Sequence, residues 1–177
     1  MDVQFIRTTC PADIPLEIKE LYHLAFPEEE RRDWADICRR IDDGDPIFDF
    51  YVLQHNSENC GFVTLWRLPG ALYCEHFAIL PRYRKMGLGS ATVNEMITMS
   101  TGKPFVIEVE LPEVSIEASH RIEFYKDCGM IPLEDFPYWQ PPYRRDLPEV
   151  AMMLMSSKPL ATPESFVIML HTIVYNQ

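Results

Sequence analysis

The sequence has little positive charge, few glycines and no long apolar segment. Its 16 lysines and arginines face 27 acidic residues, which leaves a net charge of −11. Such a chain repels a phosphate backbone, so we expect no nucleic-acid partner. The uncharged stretch 165–177 is too short to span a bilayer, so we expect no membrane-spanning segment. The 7 glycines and 15 prolines follow no period, which excludes a collagen-like chain.

The cysteines lack the spacing of a disulfide framework or a metal site. They are odd in number, and no two of them form a Cys-x-x-Cys pair. No spacing of histidine and cysteine resembles a metal site, so no metal is expected. The first residues show neither a basic start nor an apolar run. We therefore expect a cytoplasmic protein with reduced thiols.

Apolar periodicity predicts an α+β chain. Pro27 suits the first position of a helix, Glu28 to Glu30 suit its positive end, and Gly44 suits the left-handed position that closes it. The other predicted helices cover 15–26, 87–100, 119–128 and 163–175. The predicted strands cover 3–8, 48–54, 60–68, 71–80 and 104–111, with two more in 130–156.

The order of these elements predicts a meander followed by one crossover. Turn residues separate the strands 48–54, 60–68 and 71–80, which indicates antiparallel pairing. A helix then lies between the strands 71–80 and 104–111, and such a connection implies a parallel pair. We expect one domain over 1–177, with the helix at about 163–175 as an appendage.

The segment from Ile79 to Ser90 joins a predicted strand to a predicted helix. It places basic side chains beside Gly87 and Gly89, where free amides of the first helical turn suit a pyrophosphate. A plain tight turn is one alternative. A dinucleotide fingerprint is another, since Glu108 follows at a suitable distance, although Thr92 replaces the third glycine. A P-loop would need a Gly-Lys-Ser/Thr sequence that is missing here.

Two motifs in this order resemble the GNAT N-acetyltransferase superfamily. Arg84-x-x-Gly87-x-Gly89 resembles its acyl-CoA signature, and Phe124-Tyr125-Lys126-Asp127-Cys128-Gly129-Met130 resembles its second signature. The resemblance covers residues 3 to 156. It implies a mixed, mostly antiparallel sheet of six to seven strands with a central, splayed parallel pair and helices on both faces.

The resemblance also implies roles for individual residues. Tyr125 would protonate the departing thiolate, and either Glu75 or Glu108 would be the general base. The family often has Asn seven residues before the tyrosine, where this chain has Ala118. The residues expected to bind acetyl-CoA as co-substrate are Phe77, Ala78, Ile79, Arg84, Lys85, Met86, Gly87, Leu88, Gly89 and Ser90.

The sequence says less about the residues that bind the acceptor of the acetyl group. Tyr138 and Trp139 fall where the family places a loop beside the acceptor, and their rings could hold an amine or simply pack on the core. We expect transfer of an acetyl group to a primary amine of a small molecule or peptide. The alternative is an acyl-CoA-binding sensor or interaction module without transfer activity. A monomer and a homodimer are both compatible with the sequence.

Overall fold

One eight-stranded sheet organises the computed structural model, which describes residues 2–177. The strands are β1 (Gln4–Arg7), β2 (Phe48–His55), β3 (Glu58–Leu68), β4 (Ala71–Ile79), β5 (Phe105–Glu110), β6 (Ile131–Pro132), β7 (Tyr138–Gln140) and β8 (Val150–Ser156). Their order is β1-β2-β3-β4-β5-β8-β6, and β7 also pairs with β8. Among the strands of residues 2–177, β4 and β5 are the only pair that runs parallel. The predicted mixed sheet is confirmed, and the short strands β6 and β7 bring its count to eight.

Five α-helices cover the two faces of the sheet, as predicted. They are α1 (Leu16–Ala25), α2 (Trp34–Asp42), α3 (Leu88–Met99), α4 (Ile116–Asp127) and α5 (Pro163–Leu170). Apolar residues of α1, α2 and α5 form the core on one face, and those of α3 and α4 form the core on the other. Within residues 2–177, no helix is long and apolar enough to cross a membrane.

The helix expected to start at Pro27 starts at Trp34 instead. Glu28–Glu30 form only a single 3-10 turn, and Arg31 that follows is extended. Arg32 explains the interruption, because its side chain is buried and reaches the carboxylate of Glu75 on β4. The predicted end of the helix is correct, since Gly44 has a φ of 64°.

The chain after α5 continues into the core. His171–Tyr175 form a π-helical turn, and Val174 and Tyr175 are buried with Leu170 among the apolar residues of that face. The C-terminal segment is therefore packed against the sheet, and its position brings Tyr175 to the edge of the parallel pair.

The parallel pair β4–β5 separates halfway along its length. The paired positions end at Cys74 and Ile107, although β4 continues to Ile79 and β5 to Glu110. A β-bulge coincides with this point, since His76 pairs with Thr64 and Cys74 with Leu65, which leaves Glu75 unpaired. Bulges bend a strand and change its twist, so this one directs β4 away from β5.

Candidate active site

A cavity of about 910 Å³ opens where β4 and β5 separate. Its walls come from the ends of these two strands, from the connection between α1 and α2, and from the first turn of α3 and one face of α4. Residues from both predicted motifs and both candidate bases line it. The cavity is therefore the place where the predicted site residues meet.

The loop before α3 forms the basic end of the cavity. Lys85 and Gly87 have φ angles of 62° and 78°, and α3 begins without a side-chain cap. In residues 2–177, no backbone acceptor receives the amides of 85–90, so they are free to bind an anion. Arg84 donates from Nε to the Ile79 carbonyl at 3.0 Å and so fixes the loop to β4.

The residues of this loop differ in what they present to the cavity. Arg84, Lys85, Gly87, Gly89 and Ser90 line it. The side chain of Met86 is partly exposed and that of Leu88 is buried in the core, so only their backbone groups belong to the amide cluster. We call the amides of 85–90 the amide nest.

The bulge sets which backbone groups of β4 face the open space. Leu72 donates its amide toward β5, to the Pro104 carbonyl, whereas Leu80 donates toward β3, to the Cys60 carbonyl. Because the extra residue reverses the alternation, Phe77 and Ile79 turn their backbone groups into the gap. Ala78 pairs with Phe62 of β3 instead.

Glu75 lies fully buried in an ion pair. Its Oε1 accepts from Arg32 Nε at 2.9 Å and from the Tyr143 hydroxyl at 3.0 Å, and its Oε2 accepts from Trp66 Nε1 at 2.9 Å. Burial acts to raise the pKa of Glu75, but the charges and hydrogen bonds of Arg32 and His76 together outweigh it and hold that pKa well below its usual range. Glu75 is therefore a strongly held anion.

Glu108 has different surroundings at the cavity wall. Its Oε2 accepts from the hydroxyls of Tyr73 at 2.9 Å and Tyr175 at 2.7 Å, and its Oε1 accepts from the hydroxyl of Tyr138. Burial raises the pKa of Glu108 to about 7, against the opposing effect of these hydrogen bonds. Glu108 can therefore gain and lose a proton near neutral pH.

Two further carboxylates lie on the cavity wall. Glu30 is the last residue of the 3-10 turn after α1, and burial together with the nearby charge of Glu110 raises its pKa to about 7. Glu110 extends the same strand as Glu108 and is paired with Arg121 of α4. Together with Glu108, these carboxylates form the acidic end of the cavity.

Tyr125 lies on the α4 side of the cavity and is 8% exposed. Burial raises its pKa, so the phenol keeps its proton at neutral pH. The neighbouring Phe124 covers Gly89, where a Cβ atom would lie 3.3 Å from the Phe124 ring. The two motifs are thus in direct contact. Ala118, in place of the asparagine, is buried and contributes no polar group.

The two residues predicted on the acceptor side point in opposite directions. Tyr138 is buried and donates to Glu108, whereas Trp139 is 52% exposed and does not line the cavity. Gln140, which the sequence did not single out, is buried and lines it. Adjacent strand residues face opposite sides, which accounts for this division.

Several groups around the site come from distant parts of the chain. Arg32 and Glu30 lie before α2, Tyr73 lies on β4, and Tyr175 lies in the last turn. No sequence pattern around these residues marks them as functional, and only the fold brings them close to Glu75 and Glu108. Within the described residues, no cluster of three His, Cys, Asp or Glu side chains is arranged to hold a metal ion.

Comparisons with known proteins agree with this architecture. The family model described as "Acetyltransferase (GNAT) family" matches residues 16–130. A GNAT-family protein from Bacteroides thetaiotaomicron is 31% identical, with a TM-score of 0.87 over 100% of this chain and 99% of that one. The chain therefore belongs to the GNAT acetyltransferase family.

More distant solved structures share only the fold. A Bacillus subtilis acetyltransferase in complex with CoA is 14% identical, with a TM-score of 0.57 over 90% of this chain and 100% of that one. A chimeric spermidine N-acetyltransferase from Vibrio cholerae is 12% identical, with a TM-score of 0.60 over 89% and 96%. No curated protein matches the sequence of this chain.

Proposed function

We propose that this protein transfers an acetyl group from acetyl-CoA to a primary amine of a small molecule or peptide. The observation that carries the proposal is that the amide nest, Glu108 and Tyr125 line one and the same cavity. The nest suits the pyrophosphate, and the backbone groups of Phe77 and the amide of Ile79, which face the gap, suit the amides of the pantetheine arm. A Bacillus subtilis acetyltransferase of similar fold forms a complex with CoA, which supports acetyl-CoA as the co-substrate.

Glu108 is the general base of this proposal. A primary alkylamine has a pKa of about 10, so it must lose a proton before it can attack the thioester. A carboxylate with a pKa of about 7 accepts that proton better than an ordinary glutamate does. Glu75 is less suited to the role, because Arg32 stabilises its ionised form and occupies its Oε1.

Tyr125 is the general acid. The amine nitrogen bonds to the carbonyl carbon of the acetyl group, and the carbon–sulfur bond breaks. Glu108 takes the proton that the ammonium loses before the attack, directly or through water, and later releases it to solvent. The phenol proton of Tyr125 passes to the departing sulfur, and the second proton that the nitrogen loses on forming the amide restores the phenol through water. Burial keeps that phenol protonated beforehand, as an acid requires.

Calorimetric titration with acetyl-CoA tests the binding half of the proposal. We expect Gly89→Asp to weaken acetyl-CoA binding more than Gly89→Asn does. Both side chains approach Phe124 equally, and only aspartate adds a negative charge beside the nest. Equal affinities for the two variants would show that the pyrophosphate lies elsewhere.

Thiol release in the presence of amines tests the transfer half. We expect CoA release that requires both acetyl-CoA and a primary amine, with the N-acetyl product detected by mass spectrometry. Tight acetyl-CoA binding without transfer to any amine would instead favour a sensor or interaction module.

A further inference from the structure

Glu30 is a carboxylate in the cavity wall that has no counter-charge from the protein. It is the last residue of the 3-10 turn after α1, and it is only partly exposed. Among residues 2–177, no lysine, arginine or histidine forms an ion pair with it. Partial burial of an unpaired carboxylate costs free energy, so such a group in a cavity wall points to a cationic ligand.

Charged side chains on β5 and α4 act on the carboxyl group of Glu30. Burial and the charge of Glu110 raise its pKa to about 7, and the charge of Glu108 adds to this effect. Arg121 opposes it, and Glu29 on the same turn raises it further. Glu110, Glu108 and Arg121 all line the cavity, and only charges that lie close to a group shift its pKa. The carboxyl group of Glu30 therefore faces the same space as Glu108.

Two buried side chains fix the turn that carries Glu30. His76 on β4 donates from Nε2 to the carbonyl oxygen of Glu30 at 3.1 Å. Two residues further along the chain, Arg32 pairs with Glu75 on the same strand. The backbone of Glu30 is therefore held beside the cavity, which limits how far its carboxylate can move toward solvent.

The other carboxylates at the acidic end are already engaged. Glu110 pairs with Arg121, and Glu108 accepts from three tyrosine hydroxyls and is the base of the proposed reaction. Within the described residues, the remaining lysine and arginine side chains of the cavity wall belong to the loop before α3. Glu30 is therefore the carboxylate that remains available to a second positive group on a ligand whose amine lies at Glu108.

We propose that Glu30 is a specificity-determining residue of the acceptor site, and that it pairs with a second ammonium group on the acceptor. The proposal rests on the proposed function and narrows its acceptor class to primary amines that are at least dicationic. An ion pair with Glu30 stabilises such an acceptor, a monoamine lacks it, and an acceptor with a free carboxylate is repelled.

Amines of matched length test this selection. Linear diamines of three to five carbons are compared with the monoamine and the amino alcohol of the same carbon number. Ligand-observed NMR titration, with and without bound CoA, measures their affinities without requiring transfer. We expect at least one diamine to bind roughly tenfold more tightly than its monoamine, as an ion pair in a half-buried site provides, and the amino alcohol to resemble the monoamine.

The variant Glu30→Gln removes the charge and keeps the size of the side chain. We expect it to bind the diamine and the monoamine with nearly equal affinity, and to bind the monoamine as the unmodified protein does. The matched control is Glu29→Gln, because Glu29 lies on the same turn but does not line the cavity. That control makes the same change in net charge and should keep the preference for the diamine.

The outcomes separate this inference from the proposed function. Equal affinities of every diamine and its monoamine in the unmodified protein, or an amino alcohol that binds as tightly as the diamine, overturn the role of Glu30. A preference that persists in Glu30→Gln, or that is lost equally in Glu29→Gln, also overturns it. A preference that only Glu30→Gln removes supports the role even if no amine causes CoA release, and in that case the transfer proposal fails alone.

Discussion

Three tyrosine hydroxyls converge on the carboxylate of Glu108, and they come from β4, β7 and the last turn of the chain. Each donor stabilises the ionised form, while burial favours the protonated one. The balance leaves a pKa of about 7 and also fixes the direction of the carboxylate, since both oxygens are engaged. A base needs both properties, because it must be oriented and must change protonation near the working pH.

Replacing Glu108 by glutamine tests its role. We expect Glu108→Gln to lower kcat/KM by about 100- to 10,000-fold without weakening acetyl-CoA binding. The unmodified protein should show an acid limb with an apparent pKa of about 7, where activity rises with pH as Glu108 ionises. That inflection should disappear in the variant.

The control for this experiment is Glu123→Gln on the outer face of α4. Glu123 is exposed and pairs only with Lys126, so its loss should not change the profile. An unaltered acid limb in Glu108→Gln would assign the base to another group.

The buried ion pair of Glu75 leads to a prediction about the stability of the fold. The Arg32–Glu75 pair is almost fully buried, and Arg32 also donates to the carbonyl of Val174 and to Asp36. Removing one member of such a pair leaves a buried charge, so we expect Arg32→Met to reduce the free energy of unfolding by about 3–5 kcal/mol. Chemical denaturation measures this.

The double variant distinguishes a pair from two independent residues. Adding Glu75→Gln to Arg32→Met removes the stranded carboxylate, so stability should partly recover. Additive losses would contradict the assignment of Glu75 as the partner of Arg32.

At the level of elements, the bulge in β4 connects strand pairing to ligand binding. Its extra residue is Glu75, whose carboxylate accepts from Arg32. Because this residue shifts the alternation of the strand, the backbone groups of Phe77 and Ile79 face the gap. Because the β4–β5 pairing ends early, Phe77 and the amide of Ile79 have no partner on β5, whereas the carbonyl of Ile79 accepts from Arg84. The same local irregularity therefore anchors α2 and opens the site.

The π turn after α5 extends the site to the C-terminus. Tyr175 donates to Glu108, so its hydroxyl lowers the pKa of that carboxyl group. We expect Tyr175→Phe to raise the pKa of Glu108 and to move the acid limb of kcat/KM about half a pH unit to one unit higher. The measurement is the pH profile of acetyl transfer.

Tyr51→Phe is the matched control for this effect. Tyr51 bonds with Arg67 and makes no contact with Glu108. A profile that is the same in Tyr175→Phe as in the unmodified protein would show that the last turn only fills the core.

At the level of the whole molecule, local sequence patterns were enough for the meander, the crossover and the basic end of the cavity, whereas the separation of the parallel pair was expected from the family resemblance. The alternation of β2 to β4 and the helical period of α3 follow from side-chain burial, so strand and helix positions could be predicted. The amide nest also lies within one short segment, from the end of β4 to the start of α3. Its glycines and its place in the chain were visible directly.

The acidic end depends on contacts that no local pattern encodes. Glu30 and Arg32 resemble the first turn of a helix until their partners on the sheet are known, and this is why α2 was placed too early. Tyr73 and Tyr175 meet 102 residues apart in the sequence.

A crystal structure of the CoA complex is the most direct test of the acetyltransferase site. We expect the diphosphate on the amides of 85–90, the pantetheine arm paired with Phe77 and Ile79 in the gap, and the sulfur beside Tyr125 and Glu108. A diphosphate bound at another surface, or a sulfur that points away from both side chains, would contradict the assignment.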